Sequence, residues 1–285
     1  MRLAALITVL LLAGCAPKQN QEGPFFEPQF ANLIPPDTTL LLGTSVEHLI
    51  KTPVYQKYLA AFTLPGIDDV AQRTGVDRNK KLWQVVFVSN GRTGFFLARG
   101  KFADDIMAPD FLSQRPNRFL YKGQTFYGDE DRALWMINST TAALGPTTAM
   151  RAIVDGRNSV SAPPAALMEM MKQLPHDAPV WGAWSGGVVQ VELPGNLANA
   201  NRMFASLRRA TMFLELSTNV KAHIAADAVD DKAAEDVYGA LSSLLALAKS
   251  GKGGALYQGV SVTRNGRGLE VNVDAPAETL EKALR

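Results

Sequence analysis

The sequence has few of the residues on which disulfide bonds, metal centres and nucleic-acid binding depend. Its 285 residues include one cysteine, which excludes an internal disulfide, and three histidines, which are too scattered to form a metal centre. The 29 lysines and arginines are balanced by 27 aspartates and glutamates, so the net charge of +2 lacks the basic excess of a nucleic-acid-binding domain. The hydrophobic fraction of 47% is that of a folded protein. We therefore expect no metal, no cofactor and no nucleic-acid partner.

The N-terminal hydrophobic run is too short to cross a membrane as a helix. It covers 11 residues, 3–13, whereas a spanning helix needs about 20. Because the run follows Arg2, it is typical of a secretory signal peptide. It ends in Leu12-Ala13-Gly14-Cys15, which resembles the lipobox of bacterial lipoproteins. The resemblance implies a signal peptide over residues 1–14, cleavage between Gly14 and Cys15, and attachment of diacylglycerol and fatty acids such as palmitate to Cys15.

The residues after the cysteine predict where the protein is held and by what. Ala16 stands where lipoproteins of the inner membrane carry aspartate, so the same resemblance implies an anchor on the periplasmic side of the outer membrane. Residues 15–35 are rich in proline and predict a tether, about 25 Å long as a coil. Three phenylalanines are unusual in a spacer. These residues are Phe25, Phe26 and Phe30. We interpret them as docking onto the folded domain; the alternative is that they form a hydrophobic hook for a partner.

The folded part contains two similar series of segments. Residues 35–41 match residues 175–181 at a constant offset, and each predicts a turn that leads into a buried strand. Each is followed by a predicted hairpin, over residues 83–99 around Asn90-Gly91 and over residues 211–226 around Thr218-Asn219. A third hairpin is predicted around Asn265-Gly266. We interpret the repeated order as an old duplication.

The other predicted elements indicate the fold class. A meander of strands is predicted over residues 118–144, and the spacing of apolar residues predicts helices over 52–62, 67–74, 165–174, 197–207 and 231–249. Hairpins and a meander mean antiparallel sheet, so we predict an α+β protein with its helices packed on one face. Its parts are the signal peptide 1–14, the tether 15–35, a first α+β unit 36–157, a joint and helix 158–174, and a second unit 175–285.

The body of the chain resembles a group of exported acidobacterial proteins of unknown function. The residues that carry the resemblance are Leu33-Ile34-Pro35-Pro36-Asp37, the run 52–59, Leu82-Trp83, Ser89-Asn90-Gly91 and Leu97-Ala98-Arg99-Gly100. The resemblance implies the α+β fold and export from the cytoplasm. It implies no catalytic residue.

One segment resembles a catalytic motif in part. Ala183-Trp184-Ser185-Gly186-Gly187 is close to the Gly-x-Ser-x-Gly nucleophile elbow, which requires a helix after the serine and then an acid and a histidine. The residues after Ser185 instead read as extended, and the later histidine, His223, lies in an alternating strand pattern. A serine hydrolase that uses Ser185 and His223 is therefore an alternative, and we expect the protein not to be an enzyme.

Binding is the remaining class of function. Arg202, Arg208 and Arg209 form a basic edge of a predicted helix that could contact anionic lipid or peptidoglycan. Trp181 and Trp184 have opposite parity along a predicted strand, so one is expected in the core and the other as a surface aromatic. We expect a lipid-anchored, non-enzymatic protein that contacts an envelope protein or the cell wall. The alternative within this class is a binder of a small apolar or glycan ligand between the two halves.

Overall fold

The computed structural model describes residues 22–102, 117–156, 162–187, 204–251 and 254–279. Within these ranges twelve strands form one sheet. They are β1 (Leu40–Ser45), β2 (Leu82–Ser89), β3 (Gly94–Gly100), β4 (Arg118–Tyr121), β5 (Gln124–Gly128), β6 (Arg132–Met136), β7 (Thr141–Pro146), β8 (Val180–Trp184), β9 (Leu207–Leu216), β10 (Asn219–Ala228), β11 (Val260–Asn265) and β12 (Gly268–Pro276).

The helices within these ranges are short, with one exception. They are α1 (Pro28–Ala31), α2 (Val46–Leu49), the π-helix α3 (Tyr55–Leu59), α4 (Ile67–Thr74), α5 (Thr147–Gly156), α6 (Ala165–Lys172), the 20-residue α7 (Asp231–Ser250) and a 3-10 turn (Gly254–Tyr257). None of these helices is both long and apolar enough to span a membrane.

Every strand pair in the sheet is antiparallel, which confirms the α+β class. The strand order is β11-β12-β10-β9-β8-β1-β2-β3-β7-β6-β5-β4. The two predicted units meet at its centre, where Leu41 of β1 lies opposite Val88 on one side and Ala183 of β8 on the other. The units therefore share one continuous sheet.

The strand order is similar in the two halves of the sheet. From the centre outward, β1 is followed by the hairpin β2–β3, and β8 is followed by the hairpin β9–β10. These are the segments that show the repeated order in the sequence. The duplication itself stays a prediction, because an equal order of strands does not require a common origin.

The prediction that the helices pack on one face of the sheet is wrong. Successive strand residues point to opposite faces, and in β2 both Val85 and Val86 are buried. Val86 belongs to a core cluster with residues of α1, α5 and α6, and Val85 to a second cluster with residues of α2, α3 and α4. We call these two sides face A and face B. A strand that is buried on both sides requires a cover on both, which explains why the helices divide.

The turns and the helix ends follow local sequence signals more closely than the cover of the sheet does. Near the start of the predicted helix 52–62, Thr52 Oγ1 accepts a hydrogen bond from the Tyr55 N–H (3.2 Å), and Gly75 ends α4 with a φ of 78°. The hairpin at Asn90 has four connecting residues, 90–93, because the Asn90 side chain accepts from the backbone of Arg92 and Thr93. Leu207, predicted in a helix, is the first residue of β9; residues 188–203 lie outside the described ranges.

Residues 23–34 belong to the fold rather than to a spacer, and we call them the strap. Phe30 is fully buried in the face A core, and the Phe26 ring lies 5.9 Å from the Phe30 ring and 6.2 Å from that of Trp181. Phe26 and Phe30 therefore dock onto the folded domain, as interpreted from the sequence, and do not form a free hydrophobic hook. The predicted tether of residues 15–35 is correspondingly shorter.

Candidate binding surfaces

A groove runs between α6 and the second half of the sheet. Two adjoining cavities, with volumes of about 450 and 880 Å³, share the side chains of Met170, Gln173, Arg209 and Asp227 in their walls. The second also reaches Ser185 at the end of β8. The walls come from α6 and the second unit, so this groove does not lie between the two halves of the protein.

The groove has polar walls because of the alternation along β9 and β10. Phe213 packs on the face A core, so Thr211 and Arg209 point to the same side, and Asp227 lies opposite Arg209. The Arg209 Nη2 lies 2.5 Å from the Asp227 carboxylate. At the rim, Lys172 Nζ donates to Glu169 Oε1 (2.7 Å), and this hydrogen bond raises the pKa of Lys172. These walls suit a polar ligand better than an apolar one.

The structure does not bring Ser185 and His223 together. Ser185 Oγ donates to the carbonyl oxygen of Thr39 (3.4 Å), and His223 Nδ1 lies 2.6 Å from Asn272 Oδ1. Ser185 follows the last residue of β8 and lies near Arg209 and Asp227. His223 lies four residues from Asp227 along β10, which places the two residues roughly 13 Å apart. A serine and its general base need a direct hydrogen bond. The groove therefore contains a serine without this histidine.

Neither tryptophan of β8 is a surface aromatic. Trp181 is fully buried on face A and Trp184 is 5% exposed on face B, so the predicted opposite orientation is confirmed and the predicted exposure is wrong. The Trp181 indole lies over Gly43, where a Cβ atom would come within 2.2 Å of the ring. The Trp184 ring packs edge-on against Phe204 at 5.9 Å. Both rings serve packing.

The predicted basic edge is only partly described. Arg208 and Arg209 lie on β9, not on a helix. Arg202, like Gly14 and Cys15 of the lipobox, lies outside the described residues. Among the described residues no cluster of histidine, cysteine, aspartate or glutamate is arranged to hold a metal ion.

The surface that sequence reasoning missed is the outer side of α7. Only Ala234 and Val237 are buried in this helix, whereas Leu244 is 57% exposed and Leu247 is 70% exposed. Ala240, Leu244 and Leu247 follow the spacing of one helix side, which we call the α7 outer face. The signal was present in the sequence, since residues 237–248 contain no charged side chain and offer more apolar positions than one buried side needs.

The described residues thus form an α+β protein on one open antiparallel sheet. No protein-family model matches the sequence, and no curated protein matches it. Solved structures of TP0453 are similar in fold. Its crystal form III aligns with a TM-score of 0.51 and 11% identity, over 91% of this chain and 98% of that chain. Its crystal form I aligns with a TM-score of 0.49 and 12% identity, over 89% and 95%.

Proposed function

We propose that the protein is a lipid-anchored envelope protein that acts by binding a partner and not by catalysis. The α7 outer face carries this proposal. Leucines as exposed as Leu244 and Leu247, on a helix side without charge, are typical of a surface that another molecule covers. The separation of Ser185 from His223 supports the non-enzymatic part.

The lipobox supports the anchored part of the proposal. Diacylglycerol and palmitate on Cys15 would hold the protein at the periplasmic side of the outer membrane, because each buried methylene contributes about 0.8 kcal/mol and two or three chains make release very slow. The partner would then be an envelope protein or the cell wall. The α7 outer face would be available to it.

The anchor is tested at Cys15. A Cys15→Ala protein should take up no labelled palmitate and should accumulate as an unprocessed precursor, because the thiol is the acceptor of the lipid. The matched control is Ala16→Asp, which should keep the label but fractionate with the inner membrane. A Cys15→Ala protein that is still processed and still fractionates with membranes would refute the anchor.

The binding surface is tested by site-specific photocrosslinking in intact cells. A photoreactive residue at Leu247 should give a discrete product of higher mass, and one at Leu120, which is 75% exposed on β4, should not. Leu247→Lys should remove the product obtained from a photoreactive residue at Leu244. The same substitution should change the stability by no more than about 0.5 kcal/mol, because the side chain is exposed. Equal yields at Leu247 and Leu120, or products with lipid alone, would contradict the proposal.

A further inference from the structure

The chain enters the fold at Gly23, against the C-terminal end of α6. The Gly23 carbonyl oxygen lies 2.8 Å from His176 Nδ1. Gly23 has a φ of 81°, and a Cβ atom there would lie 2.5 Å from the Met171 carbonyl oxygen. No other residue type fits this close approach without strain. Gly23 is therefore a fixed point of the fold.

The strap that follows is held along its length. Arg99 Nε lies 2.6 Å from Glu27 Oε2, and Gln84 Nε2 donates to the Phe25 carbonyl oxygen (2.6 Å). The Arg99 guanidinium also lies 5.7 Å from the centre of the Phe25 ring. With Phe30 buried beyond these contacts, the strap contributes no slack to a tether.

Only eight residue steps separate Cys15 from this fixed point. Eight steps span at most about 29 Å when fully extended and about 15 Å as a coil. A sheet of twelve strands is about 53 Å wide, and β10 alone is about 33 Å long. The distance from the lipid to the fold is thus short compared with the fold itself.

Two observations place Gly23 near one end of the strands. Phe25 contacts Gln84, which lies opposite Ser45, the last residue of β1. His176 precedes the first residue of β8, Val180, by four positions, and Val180 and Ser45 mark the same end of the antiparallel pair. That end carries the β9–β10 turn at Ser217. The β11–β12 turn, with Arg267, lies at the opposite end.

We propose that the end of the sheet at Gly23 and Ser217 faces the bilayer, in contact with the lipid headgroups, and that the end at Arg267 points away from it. The proposal rests on the lipid anchor at Cys15 proposed above. The reason is the short connection, which holds Gly23 within about 29 Å of the membrane whatever path it takes. The partner of this surface is the headgroup layer that holds the lipid.

The test uses the lipidated protein in vesicles whose headgroups carry an energy acceptor. Lipidation blocks the sulfur of Cys15, the only cysteine, so Ser217→Cys and Arg267→Cys each provide one thiol for a fluorescent donor. Both positions are exposed. Energy transfer should be at least about twofold stronger from position 217, since the two turns lie at opposite ends of β10 and are roughly 33 Å apart along it. Insertion of a 20-residue Gly/Ser segment after Lys18 should abolish the difference.

The outcomes separate the two proposals. If the wild-type chain is not lipidated and does not stay on the vesicles, the anchor fails. If it stays on the vesicles and both positions transfer equally, the orientation fails while the anchor stands. If position 217 still transfers more strongly than position 267 after the insertion, the short connection does not set the orientation, and the proposal is wrong.

Discussion

Alanine at position 30 should lower the free energy of unfolding by about 3–5 kcal/mol, because it removes a fully buried ring from the face A core and leaves a cavity. Phe30 contacts Phe26 and lies in the core cluster that includes Trp181 and residues of α5 and α6. The substitution therefore weakens packing between the strap and these elements as well as within the strap. Thermal or urea unfolding of the mature domain, followed by circular dichroism, measures it. For a chain of this length, each kcal/mol moves the Tm by about 2–4 °C.

A matched control shows whether the effect comes from burial. Leu120→Ala removes a side chain of similar hydrophobicity that is 75% exposed, and should change the stability by less than about 0.5 kcal/mol. Equal stability of Phe30→Ala and the wild type would mean that the strap does not belong to the fold. The short connection to the membrane would then be lost as well.

Sequence reasoning found the elements whose signals lie within a few residues. The hairpins around Asn90, Ser217 and Gly266 and the meander β4–β7 have local turn signals, and α4 covers the predicted residues 67–74. It missed α5, although Met150, Ile153 and Val154 have helical spacing directly after Pro146.

What the sequence could not show depends on contacts between distant residues. The Trp184 ring packs against Phe204, twenty residues further along the chain, and the cover of β2 on both faces comes from helices in four separate parts of the chain. The strap is the clearest case. Prolines in residues 15–35 predict a spacer by their local conformation, but Phe30 and Glu27 are held by partners far along the chain. Rules that consider only neighbouring residues in the sequence do not include such distant contacts.

The exposure of α7 was missed for a related reason. A helix with apolar residues at intervals of three and four predicts a buried side, and Val237 and Ala234 do face inward. Whether the remaining leucines are covered depends on what the rest of the chain places over them. Leu247 is largely uncovered by the described residues. The same pattern therefore fits a core helix and a docking helix.

The Glu27–Arg99 ion pair should be the polar contact on which the strap depends most. Its Glu27 side chain is 10% exposed, and Arg99 Nε lies 2.6 Å from the Glu27 carboxylate. Glu27→Gln leaves the guanidinium without its counter-charge in a largely buried site, and should lower the stability by about 3 kcal/mol. This loss of stability is at the lower end of the range for buried ion pairs because the Arg99 side chain is 33% exposed.

A double-mutant cycle separates the pair from the general loss of contacts at this site. Glu27→Leu with Arg99→Leu should be less destabilising than the sum of the two single changes, by about 1–3 kcal/mol, because no unpaired charge remains. Unfolding of all four proteins under one condition measures this coupling energy. Additive losses would mean that the two side chains act independently, and the strap would then be held by Phe30 and its apolar neighbours alone. A coupling of the expected size would show that the strap is fixed at both its charged and its apolar contacts, as a short connection to the membrane requires.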